Sequence, residues 1–119
     1  MVPLSTLDIL LAKRFSGRKL VIKIDVEGTE YRVLKGATET MNMLPAPIWI
    51  VEIGLTEHFP DGHNADFIKV FEKFWSNGYE AYNINIDTNE KITEQRITAW
   101  INNMNTEGHY NFLFKKEII

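Results

Sequence analysis

"VIKIDVEGTE", residues 21–30, sets Val21, Ile22, Ile24 and Val26 directly against Asp25, Glu27, Gly28 and Glu30. With "KL" before it, the run is nearly continuous in apolar residues, the pattern of a strand buried on both faces of a parallel sheet. Three carboxylates around a glycine at its end admit two readings. One is an active site at the carboxyl end of a strand, where open α/β sheets place their ligands. The other is an ordinary strand-to-helix turn with acids at the start of a helix.

The flanking sequence repeats the alternation of strand and helix. From Thr29 onward Val33, Leu34, Ala37, Met41 and Leu44 keep a helical spacing up to Pro45. "PIWIVEI" (47–53) is a second buried strand, and "TEHFPDGHNAD" (56–66) a polar loop. An amphipathic helix follows, with Phe67, Ile68, Phe71, Phe74 and Trp75 on one face and "NG" at 77–78 to end it. "YEAYNINI" (79–86) alternates Tyr82, Ile84 and Ile86 with Asn83 and Asn85, which predicts a strand with one wet face near a sheet edge. Thr93 to Met104 is expected to be helical through Ile97, Trp100 and Ile101, and Tyr110, Phe112 and Phe114 alternate as a closing strand. Before all of these, Ser5 to Phe15 reads as a short helix, Ser5 with Asp8 resembling a capping box. Strands alternating with helices imply an α/β fold with right-handed crossovers and a three-layer, mostly parallel sheet.

Within that fold Asp25 and Glu27 are two residues apart in extended chain and point to the same side. Gly28 permits a tight turn. Glu27 and Glu30 have an alternative role in complementing the helix dipole. A carboxylate buried unpaired inside a Val/Ile run is costly, so Asp25 needs a partner or an opening. Glu52 repeats the arrangement at the end of the second strand, so two neighbouring strands end in acids. In the loop that follows, His58 falls soonest after Glu52 and is the candidate base or substrate hydrogen bonder. The spacing of His58, Asp61, His63 and Asp66 matches no strong metal motif, so no metal site is assigned. His109 is expected to flank the last strand, and Phe71, Trp75 and Trp100 to pack in the core.

The chain has 119 residues, 45% hydrophobic and 24% charged, which is ordinary globular composition for a single domain over 1–119. Net charge is −3 with no basic block, which argues against nucleic acid as a partner. The absence of cysteine excludes disulfides, a thiol nucleophile and thiolate metal ligands. No apolar stretch approaches the roughly 18 residues of a membrane span, and the first residues lack a signal-peptide layout. A soluble, cytoplasmic protein is expected. No nucleotide-phosphate loop and no G-x-S-x-G motif occurs.

"STLD" (5–8), "IKIDVEGTEYRVLKGA" (22–37), "IWIVEI" (48–53), "FEKFWSNGYEAY" (71–82) and "YNFLF" (110–114) resemble, in order, the FkbM-type methyltransferases. The resemblance implies an S-adenosylmethionine-dependent enzyme on the class I, Rossmann-like methyltransferase fold, methylating hydroxyls of sugars or natural products. Family members carry a glycine-containing cofactor loop and a ribose-binding acid on strands preceding this region. The chain thus resembles the C-terminal half alone, the fourth to seventh strands of seven, with the last strand antiparallel between the fifth and sixth. The resemblance places Asp25, Glu27 and Glu52 near the transferred methyl and the acceptor, with Asp25 and Gly28 on the cofactor side; His58 stands beside them as a catalytic candidate from its place in the loop after Glu52. The resemblance implies an enzyme active when completed by an N-terminal half; the alternative is a non-catalytic α/β module that self-associates or binds a partner. With no neighbour, strand 20–26 is an exposed edge, which predicts a homodimer through it unless that complementary half occupies it.

Overall fold

The computed structural model describes residues 7–12, 15, 17–25, 29–56, 62–84 and 90–116. A π-helical turn, Asp8–Ala12, precedes β1 (Val21–Ile24), α1 (Glu30–Lys35), α2 (Thr38–Met41), β2 (Ile48–Glu52), α3 (Phe67–Ser76) and β3 (Glu80–Asn83). Then come β4 (Lys91–Ile92), α4 (Glu94–Asn103) and β5 (Asn111–Lys115). The strands form one sheet in the order β1-β2-β5-β3-β4.

The α/β class holds, but the sheet is mixed rather than mostly parallel. β1 and β2 are parallel, and the other three pairings are antiparallel. The cause is the closing strand. β5 enters between β2 and β3, so these two strands, which share a direction, never touch. β4 then folds back on β3, and at two residues it is too short to leave a periodic signal in the sequence.

One face of the sheet carries the core. Ile24 lies opposite Val51, Trp49 and Ala81 opposite Phe114, and Val51 opposite Phe112, and all are buried. α3 covers this face with the stripe its sequence predicts: Phe74 stacks on Phe114 at 3.9 Å, and Phe71 meets Phe112 edge-on at 5.0 Å. The opposite face, with Ile48, Ile50, Leu113 and Tyr82, is half-buried. The described residues therefore form two layers, not the expected three. Handedness explains this. From β1 to β2 to β3 the chain always steps the same way across the sheet, and right-handed crossovers then place every helix on the same side. For the same reason β1 is not buried on both faces: Val21 is 65% exposed, Lys23 is exposed, and only Ile24 is buried.

The helix expected from Thr29 to Leu44 is two helices. Asp8 sets the break. Its backbone N–H donates to the Gly36 carbonyl at 3.0 Å. Its carboxylate accepts from the backbone N–H groups of Glu39 and Thr40, at 3.1 and 2.7 Å, and from the Thr40 hydroxyl at 2.7 Å. Asp8 thus caps α2 across the fold; Ser5, its expected capping-box partner, lies outside the described residues. Leu44, beyond the end of α2, is 80% exposed. α3 ends at Asn77 as expected, and Gly78 takes the positive φ of 89° that the turn requires. α4 is capped by the Thr93 hydroxyl, which accepts from Arg96 N–H.

The third strand runs in the opposite phase to the one its alternation predicts. Asn83 is buried and Ile84 is exposed; Asn85 and Ile86 lie outside the described residues. Ala81 and Asn83 face the core because they pair with Phe114 and Phe112. The buried amide is satisfied, its Oδ1 accepting from Glu90 N–H at 2.9 Å. β3 is also one strand in from the edge, which β4 occupies.

Candidate functional site

Because β1 and β2 are parallel, their carboxyl ends lie at one edge of the sheet. The last pair in register is Ile24 with Val51. Asp25 follows the first of these residues, and Glu52, the last residue of β2, follows the second. The two acids predicted to converge therefore stand at equivalent positions on adjacent strands, on the face away from α3. Asp25 is exposed, which removes the desolvation cost expected of it, and Glu52 is half-buried.

Glu27, Gly28 and His58 lie outside the described residues, as does Asp61. Glu30 is buried in the first turn of α1, the position that suits an acid against the helix dipole. His63 is exposed, and Asp66 forms a surface ion pair with Lys69 at 3.3 Å. Among the described residues no group of three or more His, Asp or Glu side chains could hold a metal ion. His109 flanks the last strand as expected, stacked on Trp100 with 5.8 Å between ring centres.

Two further residues at this edge escape a reading of the sequence. β5 runs antiparallel, so its start, not its end, meets the carboxyl end of β2. Asn111 lies opposite Glu52, and the Tyr110 carbonyl accepts from Ile53 N–H at 2.7 Å. Tyr110 is 45% exposed there, although its alternation with Phe112 and Phe114 reads as core. On the face away from α3 this edge carries two carboxylates and the Asn111 amide, a set suited to hydroxyl-rich ligands, while Tyr110 has the phase of Phe112, on the other face.

The loop after β2 is tied back by Asn64, a 5% exposed residue the sequence does not single out. Its side-chain amide donates to the Gly54 carbonyl at 3.1 Å, and its Oδ1 accepts from Asp66 N–H at 3.0 Å. Its own N–H reaches the Leu55 carbonyl at 2.7 Å. The return of the loop at residues 62–66 is therefore anchored beside the end of β2. An Asn three residues before a helix start is the only local signal for this, and Asn is common in such turns.

Residues 1–81 match the family described as Methyltransferase FkbM domain. The chain belongs to the FkbM methyltransferase family. The match takes in Asp25, Glu27, Gly28, Glu52 and His58, and it ends before β4, α4 and β5, so the likeness at "YNFLF" lies beyond it. FkbM membership points to a methyltransferase-related function and, for the family in general, to dependence on S-adenosylmethionine. No curated protein and no solved structure matches the chain. No helix among the described residues is long and apolar enough to cross a membrane.

Proposed function

We propose that this chain supplies the acceptor side of an FkbM-type O-methyltransferase, corresponding to the fourth to seventh strands of the class I fold. Its sheet order, β1-β2-β5-β3 with β5 reversed, matches the order and directions of those strands. The face of the sheet that no helix among the described residues covers supports the same reading, since helices reach that side only from strands stepping the other way from β1. A ligand crevice would then open where the strand order reverses, at the carboxyl end of β1.

The observation that carries the function is the in-register placement of Asp25 and Glu52 at that end of the parallel pair. In the proposed reaction a hydroxyl of a sugar or natural product hydrogen-bonds to these carboxylates, with Asn111 at its far side. One carboxylate takes the hydroxyl proton as the oxygen is alkylated, and the fixed geometry supplies the alignment that methyl transfer demands. S-adenosylmethionine, when bound, supplies the methyl group. The donor set on this edge fits the acceptor; Gly28 and the turn on the cofactor side lie outside the described residues, and Asp25 is the one described residue placed there. His58 and Glu27 are assigned to the same cleft on the strength of their positions in the sequence.

The test is methyl transfer from labelled cofactor to a panel of polyols, with the chain alone and with an FkbM segment bearing the first three strands. Transfer is expected in the mixture, falling about 100-fold or more in Asp25→Asn or Glu52→Gln. Asp25 is exposed, so Asp25→Asn should change stability by less than about 0.5 kcal/mol. Undiminished transfer by both folded variants would remove these carboxylates from the reaction. The alternative, a non-catalytic module that self-associates, is favoured by a separate observation, the open edge of β1.

A further inference from the structure

The two edges of the sheet are unlike. At one, β4 has two residues, and its Lys91 forms an ion pair with Glu80 at 3.4 Å. Short strands and charge are the usual protection against edge pairing. At the other, β1 carries no proline, and no strand among the described residues lies beyond it. The Ile48 N–H donates to the Leu20 carbonyl at 2.9 Å. Parallel ladders engage alternate residues, so Leu20, Ile22 and Ile24 bond to β2. The N–H and C=O groups of Val21 and Lys23 therefore point outward, with the Val21 side chain 65% exposed beside them.

We propose that this edge pairs with the same edge of a second copy of the chain, antiparallel about a two-fold axis at Ile22, giving one continuous sheet. Charge selects both the occupant and the register. Antiparallel pairing must set outward-facing residues, here the odd-numbered ones, against one another. Centred on Lys23, the pairing opposes two lysines; centred on Val21, it opposes Lys19 and Lys23 twice. Centred on Ile24, it runs beyond the end of the strand. Centred on Ile22, it places Lys19 of one copy against Asp25 of the other, twice by symmetry, and Val21 against the aliphatic stem of Lys23. Lys19 and Asp25 are both exposed; the Lys19 ammonium donates to the Ala46 carbonyl at 2.5 Å, on the β2 side, and would exchange that bond for Asp25 of the second copy. Opposite charges facing across a strand pair favour it, and like charges oppose it.

Sedimentation equilibrium of the 119-residue chain tests this. A dimer is expected at tens of micromolar, with Val21→Pro, which removes an outward-facing N–H and leaves the bonds to β2 in place, monomeric. Lys19→Glu and Asp25→Lys should each weaken association about tenfold or more, and combining them should restore it. The charge variants alter exposed side chains, so they remain decisive if Val21→Pro fails to fold. A monomer at 50 µM (about 0.7 mg/mL for a chain of this size) overturns the proposal. A dimer indifferent to the charge exchange also overturns it, because the contact then lies elsewhere. The result is independent of catalysis. An FkbM segment that completes the sheet would take the same edge and split the dimer.

Discussion

The Asp8 carboxylate receives both the backbone N–H and the hydroxyl of Thr40, each at 2.7 Å, across 32 residues of sequence. With Glu39 N–H as the third donor, it closes the start of α2 and ties the N-terminal segment to the body of the fold. Thr40 is fully buried, so its groups have no water to replace the lost acceptor. Asp8→Ala should cost about 2–3 kcal/mol, read as a lowered urea midpoint at unchanged slope. Asp8→Asn, which keeps one oxygen, should cost less. A neutral Asp8→Ala would show that the cap contributes nothing.

Tyr79 is buried, and its hydroxyl donates to the Met41 carbonyl at 2.8 Å. Burial pushes the phenol above its ordinary value of 10.0, and the nearby Trp49 indole N–H opposes this more weakly. The raised value means that the folded state holds the proton when the unfolded chain has lost it. Stability from this group is therefore complete below pH about 10 and falls as pH rises through the folded value. Tyr79→Phe should cost about 1 kcal/mol at neutral pH and flatten the alkaline decline. Denaturant titrations of both proteins from pH 8 to 11 would measure this, and parallel curves would contradict it.

Glu107 shows the opposite sign. Its carboxyl is held below the ordinary carboxylate value of 4.5, first by its bond to Arg96 and then by the Trp100 indole N–H at 3.3 Å. Its contribution is present above pH about 4.5 and is lost as pH falls through the lowered folded value. The pair is solvent-exposed, so the effect is small and weakens in salt. Glu107→Gln should make the acid limb of the stability profile shallower at low ionic strength, and the difference should shrink in 1 M salt. An acid limb unchanged by the substitution would contradict the assignment.

Which parts of this were legible in the sequence follows from the range of the interactions. β1, β2 and α3 declare themselves because their signals are local: "VIKI", "IWIVE" and the spacing of Phe67, Phe71 and Phe74. The convergence of Asp25 and Glu52 is legible for the same reason, since each acid ends a strand. The Asp8 cap is not, because its partners lie in a different element. The phase of β3 is decided by Phe112 and Phe114, far along the chain, and its own alternation points the wrong way. Asn111 joins the site through the insertion of β5, and the number of layers depends on which way the crossovers step.

Titration calorimetry of the 119-residue chain with S-adenosylmethionine, alone and with an FkbM segment carrying the first three strands, tests the central claim most directly. The claim is that this chain holds the acceptor acids and only part of the cofactor site. It predicts no saturable heat with the chain alone up to about millimolar cofactor, and saturable binding once the second segment is added. A dissociation constant of about micromolar or tighter for the chain alone would contradict it and make the chain a complete cofactor-binding unit.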